Sequence, residues 1–140
     1  MPRARLAAFE AKVAELSRRL PELSDDAALV SLRGIAASIG DGHTFVVAPP
    51  RPKLPAEFCW FGEELTVIRA AAAQRALIGA RITAIGDHPA AAVQGRLQGL
   101  IPQGENQGYI LARSVELMRE PQVLAALGIA PVFHCVDAGG

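Results

Sequence analysis

Lysine is almost missing from this chain: Lys12 and Lys53 are the only two. Neither follows a serine at a useful spacing, so the sequence gives no support for a serine–lysine catalytic pair within these residues. Cysteine is as scarce. Cys59 and Cys135 each sit in an apolar β-like run (FCWF and VFHCV), where a free thiol behaves as a small hydrophobe. A disulfide between them is open but not implied, since it needs both geometry and an oxidising compartment. Charge excess is missing too: fourteen basic residues face fourteen acidic ones. That removes the electrostatic case for nucleic acid or an anionic membrane as partner. No apolar run approaches the ~18 residues of a membrane span. Phosphate-cradling glycine patterns are absent, so no nucleotide cofactor is implied.

What the chain does have is 51% hydrophobic residues, many of them alanine, in a length of 140. That suffices for one ordinary domain or two very small ones sharing a core, and is too apolar for disorder. The first twenty residues carry charges every few positions and lack the apolar centre of a secretion signal. They predict a cytoplasmic chain, or an exported one if a leader precedes Met1.

Leu6, Phe9, Val13, Leu16 and Leu20 recur in alternating steps of three and four, the stripe of an amphipathic helix that Pro21 ends. Ser24 with Asp25 and Asp26 reads as an N-cap and an acidic first turn. Leu29, Leu32, Ile35 and Ile39 carry the second helix, with Gly40 at its C′ position. The two helices should form a hairpin. Thr44 to Ala48 (TFVVA) predicts a short strand, and APPRPKLP an extended connector. Prolines three apart at 49, 52 and 55 suit either a polyproline ligand or a stiff spacer, and the spacer is favoured. EFCWFGEELTVIRA predicts a hairpin turning at Gly62-Glu63-Glu64. AAAQRALIGA predicts a short helix ending at Gly79. ARITAIGDHP predicts a strand and a Gly86-Asp87 turn, with Pro89 opening a further helix. A loop, a helix over QGYILARSVELMRE, a short helix from Pro121 to Gly128 and a last strand (VFHCV) complete the chain. That strand pairs back with FCWF or ITAI, or else the chain is cut within a sheet. An unpaired last edge would invite a second copy, giving a homodimer.

The stretch with the most chemical content is Asp41-Gly42-His43-Thr44. A histidine held by an acid or a hydroxyl is a general base in search of a nucleophile. The same residues also make a capped corner, with Gly40 and Gly42 freeing the backbone and Asp41 bonding nearby amides. Spacing favours the corner. The five serines supply no partner: Ser17, Ser31 and Ser114 fall on helices, Ser24 on a cap, and Ser38 lies five residues before His43. His43, His88 and His134 share no ligand-like spacing, so no metal is implied.

IGDGHTFV, and then ALIGARITAIGDHPAAAVQGRL, resemble the S41 family of serine peptidases, the tail-specific and tricorn-core-like enzymes. WFGEELTVIRAA and EPQVLAALGI are similar to members with this arrangement, so the resemblance covers most of the chain. It implies an α+β fold: an N-terminal helical region (1–47) ending in the GDGHT turn, a Pro-rich connector (48–56) and a PDZ-like α+β region (57–140). The family's nucleophilic serine and its lysine lie in a later α/β domain, which these residues do not contain. In tricorn-like members a histidine in this turn assists the serine, a position held here by His43. Those members carry a serine directly before the histidine, where this chain has Gly42. The implied role is non-catalytic, the recruitment or positioning of a polypeptide substrate or a peptide C-terminus. Strand addition is expected between ITAI and the helix after Pro89, with Ile78, Gly79 and Ala80 in the approach loop. A freestanding peptide-binding or regulatory module is the alternative, and a small complete hydrolase using His43 a third.

Overall fold

Residues 2–103 and 106–137 are described by the structure, a computed structural model. The first helix, α1, spans Arg3–Arg19. Pro21 lacks the amide that would continue the α-helical ladder, and Leu20–Glu22 tightens into a 3-10 turn instead. The second helix, α2, spans Asp25–Ala37; the Ser24 hydroxyl accepts the Ala27 amide at 3.2 Å, as its place before two acids predicts. The α-helical stretch stops earlier than the apolar spacing suggests. Ile39 and Gly40 donate back three residues to Ala36 and Ala37, a closing 3-10 turn, and only at Gly40 does φ become positive, at 76°.

The sheet begins with the predicted hairpin. β1 (Ala56–Phe61) and β2 (Glu64–Ala70) pair antiparallel, with Phe61 opposite Glu64, so the connection is the two residues Gly62-Glu63, and Gly62 takes φ 61°. A 3-10 segment (Ala72–Leu77), interrupted at Gln74, stands where an α-helix was expected. β3 (Arg81–Ile85) comes next, and Gly86-Asp87 turns it into β4 (His88–Pro89). Pro89 is thus the last strand residue and the N-cap of α3 (Ala90–Gln98), so the helix starts one position later than expected. α4 (Gln107–Met118) is capped by the Asn106 side chain, which accepts the Tyr109 amide at 2.9 Å. The short α5 (Pro121–Ala126) leads to Gly128 and then β5 (Phe133–Val136).

The fold is α+β, a helical hairpin followed by a five-stranded antiparallel sheet with helices. β5 pairs with β3 from Ile85↔Phe133 to Arg81↔Val136, which resolves its pairing in favour of ITAI. The other edge of β3 is shared, with β2 against Arg81–Ile82 and β4 against Ala84–Ile85. In a flat sheet β1 and β5 would lie ~14 Å apart, three strand spacings. Yet Phe58 and Phe133 bring their rings to 5.3 Å, so the sheet curls around its core. That core takes Leu65 and Ile85 from the sheet, Val93 and Leu97 from α3, Met118 from α4 and Leu124 from α5. Val30 of α2 joins the same buried cluster, whereas α1 buries no residue.

TFVVA is not a strand. Residues 44–48 have no regular secondary structure, although burial alternates along them as in a strand, with Thr44, Val46 and Ala48 half-buried and Phe45 and Val47 exposed. Among the described residues no strand lies alongside, and a strand is defined by its partner rather than by its own propensity. The connector after it is strapped down. Arg51 pairs with Asp26 of α2, Lys53 Nζ lies 2.8 Å from Glu116 of α4, and the Leu54 amide donates to the Arg119 carbonyl at 2.7 Å.

Candidate functional site

The corner after α2 is built by Asp41. Its Oδ2 accepts the Thr44 hydroxyl at 2.8 Å, and its Oδ1 accepts the His43 amide at 3.2 Å. The Thr44 amide closes the turn on the Asp41 carbonyl at 3.0 Å. These bonds favour the ionised acid, the Thr44 hydroxyl most and the His43 amide next, and hold the Asp41 carboxyl below the usual aspartate range. The His43 imidazole stands in solvent, 93% exposed, with Nδ1 3.6 Å from Asp41 Oδ1. Asp41, Gly42, His43 and Thr44 are therefore one turn that orients a histidine outward.

No serine meets that imidazole. Ser31, Ser38 and Ser114 each donate to a carbonyl three or four residues back, at 2.9, 2.7 and 2.7 Å, and Ser24 is the α2 cap. The segment after His43 is also unpartnered: Phe45 to Ala48 make no main-chain hydrogen bond among the described residues.

The residues expected to receive a peptide lie elsewhere, between the 3-10 segment and β3. Their amides are engaged: Ile78 donates to Arg75 at 3.1 Å, Gly79 to Val67 at 2.8 Å and Ala80 to Leu77 at 2.9 Å. With both edges of β3 occupied and α3 packed on it, an added strand there would have to displace an existing one. His88 opens β4, and His134 is exposed on β5. Both cysteines are free. Among the described residues, no three of His, Cys, Asp and Glu converge as metal ligands, and no helix is long and apolar enough to cross a membrane.

One concavity escaped sequence reasoning. Beside the GDGHT corner lies a cleft of about 320 Å³, walled by Phe45 and Val46, by Leu100 and Pro102 after α3, and by the outer face of α4. Five charged side chains reach it. Arg33 Nη1 is 3.5 Å from the buried carboxylate of Glu120, and Lys53 is spent on Glu116. Glu116 also accepts from Arg119 at 3.0 Å. The Lys53 hydrogen bond is the larger cause, and partial burial opposes it, of a Glu116 carboxyl held below the usual glutamate range. Arg113, the fifth, makes no ion pair or hydrogen bond among the described residues. One signal was present in the sequence: Tyr109, Arg113, Glu116 and Glu120 repeat at helical spacing. Their partners, Arg33 and Lys53, stand more than sixty positions away and could not be read from it.

No protein-family model, curated protein or solved structure matches the chain.

Proposed function

We propose that these residues are the N-terminal, non-catalytic part of an S41-type serine peptidase, where they help to recruit or position a polypeptide substrate for a nucleophile carried elsewhere. One observation supports this reading. Residues 43–48 set a solvent-facing histidine, oriented by Asp41 but met by no serine, beside a segment with open main-chain groups and no strand partner among the described residues. A general base that is to serve covalent catalysis needs a nucleophile within reach, and a segment with unpaired main-chain groups can take a neighbouring strand. A polypeptide segment bringing a serine and a sheet edge answers both needs. The resemblance carried by IGDGHTFV and GARITAIGDHP points the same way.

Cleavage of an unfolded, fluorescently labelled polypeptide tests it. These 140 residues alone are expected to give no turnover. A reading frame running past codon 140 into a serine-bearing α/β segment is expected to encode a protein that does, with His43→Ala lowering its kcat. Peptide binding without turnover, from a frame that stops after Gly140, would identify a freestanding binding module instead. Turnover by the 140 residues themselves would overturn the non-catalytic reading.

A further inference from the structure

We propose that the cleft between α2, α4 and the proline-rich connector binds a carboxylate carried on an apolar arm, with Arg113 as the cation that meets the carboxylate. The inference stands on the cleft alone and does not need the peptidase reading.

Size comes first. About 320 Å³ lies at the small end of ligand sites and accommodates one or two amino-acid residues or an organic acid of similar bulk. The lining then divides by chemistry. Leu100, Ile101, Pro102 and Leu117 form an apolar floor, of which Ile101, Pro102 and Leu117 are themselves buried. Phe45 and Tyr109, both exposed, stand at the rim. An apolar arm laid on that floor leaves water without exposing any polar group of the protein.

Charge decides the head group. Three cations line the cleft against two carboxylates. Arg33 is taken by Glu120, and Lys53 by Glu116. Glu116 is held from a second side by Arg119. A cationic ligand would have to break one of these pairs. An anion needs to break none, because Arg113 presents a guanidinium with no ion pair among the described residues. One guanidinium, planar, forked and without a partner among the described residues, matches one carboxylate; a phosphate generally draws on several cations or a run of backbone amides. The connector is part of the device. Its ties to Asp26, Glu116 and Arg119 hold Phe45 and Val46 over the floor before any ligand arrives, so little ordering is left to be done on binding.

Two sources could supply such a ligand, a peptide C-terminus or a free organic acid. The test uses the intact 140-residue chain and three probes: acetyl-Ala-Leu with a free carboxylate, its C-terminal amide, and 4-phenylbutyrate. Calorimetry gives the affinity, and the NMR signals of Tyr109, the only tyrosine, report the location. At least one acid is expected to bind saturably and to shift the Tyr109 ring. The amide is expected to bind at least about tenfold more weakly, the value of one charge-assisted contact near 1.4 kcal/mol. Arg113→Gln, at an exposed position with no ion pair or hydrogen bond among the described residues, is expected to weaken the acids by a similar factor, and Lys12→Gln on α1 not to weaken them. Tighter binding of the dipeptide assigns the site to peptide C-termini; tighter or equal binding of phenylbutyrate assigns it to free acids. Equal affinity for acid and amide, an unchanged affinity in Arg113→Gln, or no saturable binding of either acid up to about 10 mM overturns the proposal. Turnover does not enter these readouts, so failure here leaves the peptidase reading to its own test.

Discussion

Gly86 sits where the β3–β4 turn meets the chain entering β5. Its φ is 57°, and a Cβ there would lie 3.0 Å from the Ala130 carbonyl oxygen and 3.1 Å from its amide nitrogen. Its own amide donates to the Val132 carbonyl at 2.7 Å, which fastens the β3–β4 turn to the chain entering β5. Gly86→Ala meets both the left-handed penalty and a backbone that cannot retreat, and is expected to cost about 2 kcal/mol or more in urea unfolding. Asp41 is the contrasting case. It organises a surface turn and nothing beneath it. Asp41→Ala is expected to leave the unfolding midpoint unchanged while the His43 and Thr44 amides lose protection from hydrogen exchange. A loss of global stability would mean that the corner supports the body as well as the histidine.

At the scale of elements, sequence revealed the features that neighbours in sequence decide. Ser24 with two acids caps α2, and Ser24→Ala is expected to cost about 1 kcal/mol by thermal unfolding. Gly62 turns the hairpin, and the alternation in ITAI gives β3. The misreadings share one cause. TFVVA has strand composition and alternating burial but no strand beside it. The Ala72–Leu77 segment has helical composition, yet the chain must return within a few residues so that Gly79 can bond Val67, and the tighter 3-10 form fits that space. The connector looked like a spacer because its composition is all a sequence displays. Its ion pairs with α2 and α4 make it a strap. That strap responds to pH with a definite sign. Glu116 has a lowered carboxyl value in the folded state, owing first to Lys53. Its contribution is complete above the ordinary glutamate range and is lost as pH falls through and below it. Acid titration is expected to loosen the Lys53–Leu54 segment first, seen as NMR shifts there, and Glu116→Gln is expected to remove that response.

For the molecule as a whole, the least exposed ion pair between the helical hairpin and the rest is the one between α2 and α5. Arg33 on α2 and Glu120 at the head of α5 are both nearly buried, at 16% and 9% side-chain exposure. Removing one partner strands the other charge, so Arg33→Ala is expected to cost about 3 kcal/mol, whereas replacing both by well-fitting apolar side chains should be nearly neutral. Chemical denaturation of the two variants distinguishes them. The α+β class and the hairpin were legible from the apolar spacing and the caps. The cleft was not, because its walls come from four separated segments. The GDGHT corner was legible as a turn, and its outward imidazole comes from Asp41, Thr44 and the glycine before them.

The register of β5 on β3 has a consequence for how the chain is made. The paired residues lie from 48 positions apart (Ile85 to Phe133) to 55 (Arg81 to Val136). During synthesis the α1–α2 hairpin and the β1–β2 hairpin can each close as they emerge. The far edge of β3 stays bare until Val136 has cleared the ribosome, a further fifty or so residues of translation. At a synthesis rate of about 5–20 residues per second, that is an interval of several seconds in which ITAI is open to the wrong strand. A nascent chain stalled before residue 133 is therefore the form most exposed to aggregation, and the one that chaperones would be expected to hold.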